Sequence, residues 1–306
     1  MRSKSIIATI AAVPILMAAS QPLRLQPSSP WDVDYAENSC RLIRVFGAGD
    51  KTRTVLILES GAPDEMDMLA VGNPLKSYGE KISATFLPMR SKPIDGDVVE
   101  DERAHMPAIL WPQVRMMSDD VLAKLNKKRE QRWSKPGVRP PPLDLNEEAG
   151  YRQERHEFAT EATGLEIGVH RNQPVVLETG SLGEAIRMFD KCSRDSLKDW
   201  GVDPDLEDKI VRPVWSSSPN LWFSAADYPA DMAARGEESQ VTIRVLVDAT
   251  GKVTKCTSIS HFKEPEFNSI TCAIVMKRVH FAPAELADGT RVPSYYVRRV
   301  IFRMRR

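Results

Sequence analysis

Val241-Thr242-Ile243-Arg244-Val245-Leu246-Val247-Asp248, with Ala249-Thr250-Gly251-Lys252-Val253 behind it, decides how the last quarter of this 306-residue chain folds. Branched apolar residues at 241, 243, 245 and 247 alternate with Thr242, Arg244 and Leu246, the period of a half-buried strand. Asp248-Ala249-Thr250-Gly251 turns the chain, and residues 252–260 return as a second strand. Upstream, Tyr228-Pro229 opens a short helix that Gly236 closes, since proline suits the first turn and glycine the C-terminal cap. Downstream, Pro265 starts a helix that gathers Phe267, Ile270, Ile274 and Val275 on one face. Lys277 and Arg278 in its last turn complement the helix dipole. After Phe281-Ala282-Pro283-Ala284 and a turn at Asp288-Gly289, residues 294–304 form a final strand. The predicted order is helix, strand, strand, helix, strand. A right-handed crossover sets the last strand beside 241–248, at the edge of a three-stranded antiparallel sheet. Such an edge offers unpaired N–H and C=O groups to an incoming peptide.

Taken in order, Tyr228-Pro229, Gly236-Glu237, Val241 to Asp248, Gly251-Lys252-Val253, Phe281-x-Pro283-Ala284, Gly289 and Tyr295–Phe302 resemble the TonB C-terminal domain. No single piece is specific; the ordered set over about 80 residues is. One departure is Glu238-Ser239, where the family often has Glu-Gly. The resemblance implies a small αββαβ domain over 225–306. It also implies a periplasmic module that receives the TonB box of an outer-membrane receptor as an added strand, in the service of transmembrane transport. By position, the docking strand carries Tyr295, Tyr296, Val297, Arg298, Arg299, Val300, Ile301 and Phe302. Tyr296, Val300, Phe302 and Met304 share one face, while Tyr295, Val297 and Ile301 alternate with them. The expected partner is a protein or peptide; the rival readings are a structural adaptor and a homodimer built on this domain. A full TonB also has an uncleaved membrane anchor and a long Pro-rich spacer. Here a folded N-terminal domain is expected instead.

That domain is expected to be β-rich α+β over 31–201, behind a polar leader at 21–30. Arg41–Phe46 and Thr54–Leu58 read as strands joined at Gly47-Ala48-Gly49-Asp50, with further strands near 66–71, 82–87, 108–116, 165–170 and 174–178. Residues 119–132 read as a helix, and 143–162 as an exposed polar excursion after Pro140-Pro141-Pro142. A second helix is predicted from Ser181, with Glu184 completing a capping box and Gly201 past its end. Residues 202–224, with Pro204, Pro213 and Pro219, read as a linker between the domains.

The first twenty residues combine Arg2 and Lys4, the apolar run Ile6–Ala19, and small residues at Ala18 and Ser20. That pattern predicts a cleaved secretory signal and a periplasmic protein, the alternative being an uncleaved inner-membrane anchor. Four cysteines in an exported chain suggest disulfides, with three pairings possible in principle. Organisation favours Cys256 with Cys272, strand to following helix, and Cys40 with Cys192, the two ends of the N-terminal domain. No cysteine spacing matches a metal site, and no cofactor is expected.

Lys plus Arg and Asp plus Glu both number 42, so the formal charge is zero, unlike a general nucleic-acid binder. Lys and Arg are in excess over 225–306 and in deficit over 21–224, as suits two units with different surfaces. One enzyme reading arises in the N-terminal domain. Glu59-Ser60-Gly61 and Glu178-Thr179-Gly180 each follow an apolar strand, as the paired Asp-Thr/Ser-Gly loops of aspartic proteases do. Both acids here are glutamate, and the longer side chain misplaces the pair. His156-Glu157 lacks the second histidine of a zinc protease, and Gly47-Ala48-Gly49 lacks the third glycine of a dinucleotide loop. The expected protein is therefore not an enzyme.

Overall fold

The computed structural model describes residues 21–36, 38–63, 66–77, 81–88, 91–101, 106–132, 151–168, 173–216, 222–259 and 265–304. The first twenty residues, read above as a secretory signal, and His105, His170, His261 and the proline run at 140–142 lie outside these residues.

The N-terminal strands are β1 (Leu23–Leu25), β2 (Asp32–Tyr35), β3 (Cys40–Phe46), β4 (Thr54–Ser60), β5 (Asp67–Gly72), β6 (Lys81–Leu87), β7 (Ile94–Asp101) and β8 (Met106–Trp111). Helices α1 (Asp119–Arg132) and α2 (Tyr151–Glu161) follow, then β9 (Gly164–Gly168), β10 (Val175–Leu177) and α3 (Gly183–Asp199). The strands form one ten-stranded sheet in the order β1-β10-β9-β6-β7-β8-β5-β4-β3-β2. Its ends meet. The segment from Leu23 to Tyr35 pairs with β10 through β1 and with β3 through β2, and Pro27 bridges Phe46 between the two. One stretch of chain thus closes the sheet on itself, which leaves few open edges.

Alternation fills the core. β4 buries Leu56 and Leu58, β6 buries Ile82, Ala84 and Phe86, and β10 buries all three of its residues. Ile186, Phe189 and Cys192 of α3 pack into the same cluster, and Cys192 is disulfide-bonded to Cys40 of β3.

Several expectations for this region need correction. Residues 21–30 are not a mere leader, because Leu23–Leu25 is a sheet strand. The excursion at 143–162 contains α2, whose Phe158 and Ala159 are buried. Its Arg155 is only 2% exposed and pairs with Asp190 of α3, which also meets His156 at 2.6 Å. A buried arginine that finds its carboxylate on a distant helix reads as polar surface in a local window. The capping box at Ser181 does not form. The helix starts at Gly183 behind Leu182, Ser181 donates its hydroxyl to the Thr160 carbonyl, and Glu184 pairs with Arg187. Strand β7 was not anticipated, because Ile94–Asp101 is rich in aspartate. The strand expected over 108–116 ends at Trp111.

The chain continues through α4 (Pro204–Glu207), β11 (Ile210–Arg212), α5 (Ala230–Arg235), β12 (Ser239–Val247), β13 (Val253–Ser258), α6 (Pro265–Arg278), β14 (Ala284–Leu286), β15 (Arg291–Val292) and β16 (Ser294–Phe302). β13-β12-β16 form a three-stranded antiparallel sheet, and β11-β14-β15 a second one. The 202–224 segment is not a free linker. It supplies β11, and Val214 and Trp222 join the core under the β12 sheet.

Candidate protein-docking edge

The edge strand is built from the alternation of β12. Val241, Ile243, Val245 and Val247 are buried against Phe267 and Val275 of α6. β16 runs beside β12 over nine residue pairs, from Ser239↔Phe302 to Val247↔Ser294. Its Tyr296, Val300 and Phe302 therefore face α6 with the valines. Phe302 meets Phe267 at a ring separation of 4.8 Å, and Tyr228 crosses edge-on to both. Tyr296 packs between Trp222 and Phe281. At the far end of the first hairpin, Gly251 adopts φ 88°, and a Cβ there would stand 2.1 Å from the Phe281 carbonyl oxygen. Only glycine lets the hairpin turn lie against the segment that leaves α6. Cys256 of β13 and Cys272 of α6 are disulfide-bonded, fixing the helix on its sheet.

Asp227 ties the start of this unit to α6. Its carboxylate accepts from Arg278 at 2.9 Å and from the Ser224 N–H and hydroxyl at 2.8 Å each. The Arg278 bond, and then the Ser224 bonds against the cost of desolvation, hold its pKa at about 2. The stabilisation is complete above the ordinary carboxylate range and is lost as pH falls through 2. Arg278 is half in water, so solvent screening reduces the contribution. Asp227→Asn should lower the urea midpoint at pH 7, with a difference from the wild type that shrinks as pH drops from 4 towards 2. A difference that does not change with pH would refute this role.

The opposite face of the sheet departs from the half-buried pattern read from the sequence. Thr242, Arg244 and Leu246 of β12, and Tyr295, Val297 and Arg299 of β16, face the N-terminal sheet rather than water. Leu246 and Tyr295 are buried in a cluster with Ala62, Leu197 and Val202. Arg244 is 2% exposed. Its guanidinium lies 3.5 Å over the Trp200 ring and donates to the carbonyls of Asn38 at 3.0 Å and Gly61 at 2.5 Å. Burial lowers its pKa to about 10, so it stays charged at neutral pH. Gly61 has no Cβ to collide with Ile259, whose Cδ1 would be 2.3 Å away. Arg299 reaches Asp67 at 3.6 Å, and the Tyr295 hydroxyl donates to the Pro63 carbonyl at 3.5 Å.

Of the predicted docking residues, Tyr296, Val300 and Phe302 thus anchor the strand to α6, and Tyr295, Val297 and Arg299 anchor it to the N-terminal domain. Ile301 is 52% exposed. Arg298 stands opposite Ile243 in the ladder. Sequence reasoning missed Arg244, Trp200, Gly61 and Asp67. The signal available was Tyr295-Tyr296-Val297 and Leu246-Val247, consecutive bulky residues that mark a strand covered on both faces.

Glu59 and Glu178 do not form one site. Glu59 pairs with Arg41 and accepts from Ser39, whereas Glu178 pairs with Arg24. Glu59 is opposite Arg41 at one end of β3, and Glu178 lies beside Leu25, near the Phe46 end. Five strand residues separate those levels, roughly 16 Å. No shared proton can pass between them.

Residues 224–304 match the family model of the Gram-negative bacterial TonB protein C-terminal. The match takes in α5, β12, β13, α6 and β16, and it marks these residues as a TonB-type protein-interaction domain of the cell envelope. No curated protein matches the chain. No helix of the described residues is long and apolar enough to cross a membrane.

Proposed function

We propose that the chain is a periplasmic peptide-docking protein that receives a partner strand, of the outer-membrane receptor TonB-box type, along the outer edge of β16. The observation that carries this reading is the place of β16 in the sheet. It is a nine-residue strand at the end of the order β13-β12-β16. Both of its faces are pinned, one to α6 and one to the N-terminal domain, so its backbone is already extended and ordered. A preorganised edge spends little conformational entropy on binding, and main-chain hydrogen bonds supply the affinity. Arg298 and Arg303 add positive charge that steers an acidic peptide.

Along an antiparallel strand, successive residues direct their N–H groups to alternate sides. Val297 and Val300 have opposite parity, so one of them turns its N–H away from β12. Proline at that position removes a donor from the docking edge and leaves the β12 ladder intact. One of Val297→Pro and Val300→Pro should therefore lose about tenfold or more in affinity for a TonB-box peptide while melting closer to the wild type than the other. The other should lower the melting temperature. Wild-type affinity in both variants would end the edge-docking reading.

A further inference from the structure

The docking strand borders a cleft that belongs in part to the N-terminal domain. The cleft is small, about 20 Å³, and lies beneath the sheet, with Val297 and Arg299 of β16, Thr242 of β12 and Ile259 on one side and Met66, Asp67 and Gln113 on the other. A peptide strand added to β16 continues the sheet about 4.8 Å further out, and every second side chain it carries lies on the same face as Val297 and Arg299. Those side chains turn towards the N-terminal domain.

Gln113 stands at the turning point. Asp67 accepts its backbone N–H at 2.7 Å, and the same carboxylate meets Arg299 at 3.6 Å. Gln113 has φ 52°, the one non-glycine residue with positive φ among the described residues. An ordinary residue is strained there, and such outliers collect at functional sites, where a surface must take a set shape. Gln113 also lines a second, larger cleft of about 410 Å³ between α1 and the start of β7. The floor of that cleft is apolar, with Ile94, Met117 and Leu122, and its rim carries Lys92 and Arg115. The carboxylate at the rim, Asp119, accepts the Lys92 backbone N–H at 3.3 Å. The two clefts meet at Gln113.

We propose that the docking surface is bipartite. The partner peptide pairs with β16 and then runs past Gln113 into the second cleft, where it places an apolar side chain on Ile94, Met117 and Leu122 and a carboxylate against Lys92 and Arg115. The N-terminal domain is then a second reader of the same partner, and it selects an acidic-apolar segment flanking the paired strand. This inference rests on the strand-addition reading above.

The test uses the purified chain and fluorescein-labelled peptides followed by anisotropy. One peptide is a TonB-box core; two others add Asp-Leu-Asp at its N- or C-terminal end. One of the two extensions should raise affinity about tenfold. Lys92→Glu combined with Arg115→Glu should abolish that gain and leave the affinity of the core peptide unchanged; both residues are exposed, so the fold survives the reversal. If the core binds and neither extension adds affinity, the bipartite groove is wrong and edge docking stands. If the gain persists in the charge-reversed variant, the extension binds elsewhere and the groove is equally wrong. If the core peptide itself does not bind, strand addition fails and the groove falls with it.

Discussion

Cys40→Ser with Cys192→Ser should cost about 4–5 kcal/mol, the largest loss of stability expected for any conservative change in this chain. The bond spans 152 residues of sequence, so reducing it restores to the unfolded chain a large conformational freedom. Both sulfurs are buried in the N-terminal core. The bond joins the first residue of β3 to the middle of α3, and these two elements together carry the surface on which the C-terminal sheet rests. Asn38, two residues before Cys40, accepts from Arg244, and Leu197 and Trp200 follow Cys192 along α3 and beyond. The Cys256–Cys272 bond spans 16 residues, and its removal should cost about 3 kcal/mol by the same chain-entropy reasoning. Urea denaturation of the two double variants, under non-reducing conditions, compares them directly. A Cys256/Cys272 variant less stable than the Cys40/Cys192 variant would overturn the ranking.

Arg244→Ala should cost about 2–4 kcal/mol and loosen the C-terminal sheet from the N-terminal domain. The change leaves the Asn38 and Gly61 carbonyls without their donor and strips the Trp200 ring of its stacked cation. It also opens a void under Leu246 and Tyr295, which share the cluster with Trp200. Arg244→Lys keeps the charge but not the planar fork that serves two carbonyls at once, so it should recover less than half of the loss. The readouts are the urea midpoint and limited proteolysis across residues 202–224. A wild-type cleavage pattern and midpoint in Arg244→Ala would show that the two sheets are held together by something else.

The main C-terminal elements were legible because each carries its own local signature, whereas the short β14 and β15 were not. Tyr228-Pro229 and Gly236 bound a helix, the 241–247 alternation makes a strand, and Pro265 opens the crossover helix. A single crossover then places the last strand beside the first, as the β12–β16 ladder shows. The N-terminal strands β3 to β6 were readable for the same reason. The linker reading of 202–224 failed because Val214 and Trp222 sit among prolines and serines, and only the β12 core tells them from loop residues.

By itself, the sequence determined the helix-strand-strand-helix-strand frame of the last quarter of the chain, though not the short β14 and β15, and the edge position of the final strand. It also favoured the cysteine pairs that the structure forms, because these follow from side-chain period, turn chemistry and the spacing of elements. Only the tertiary structure decided that the outer face of that sheet is covered. A residue such as Arg244 has one identity in a local window, a charged side chain on a strand's polar face. Its partners, the carbonyls of Asn38 and Gly61 and the ring of Trp200, come from residues 44 to 206 positions away. Burial of a charge is set by what the rest of the chain brings to it, and local periodicity holds no record of that.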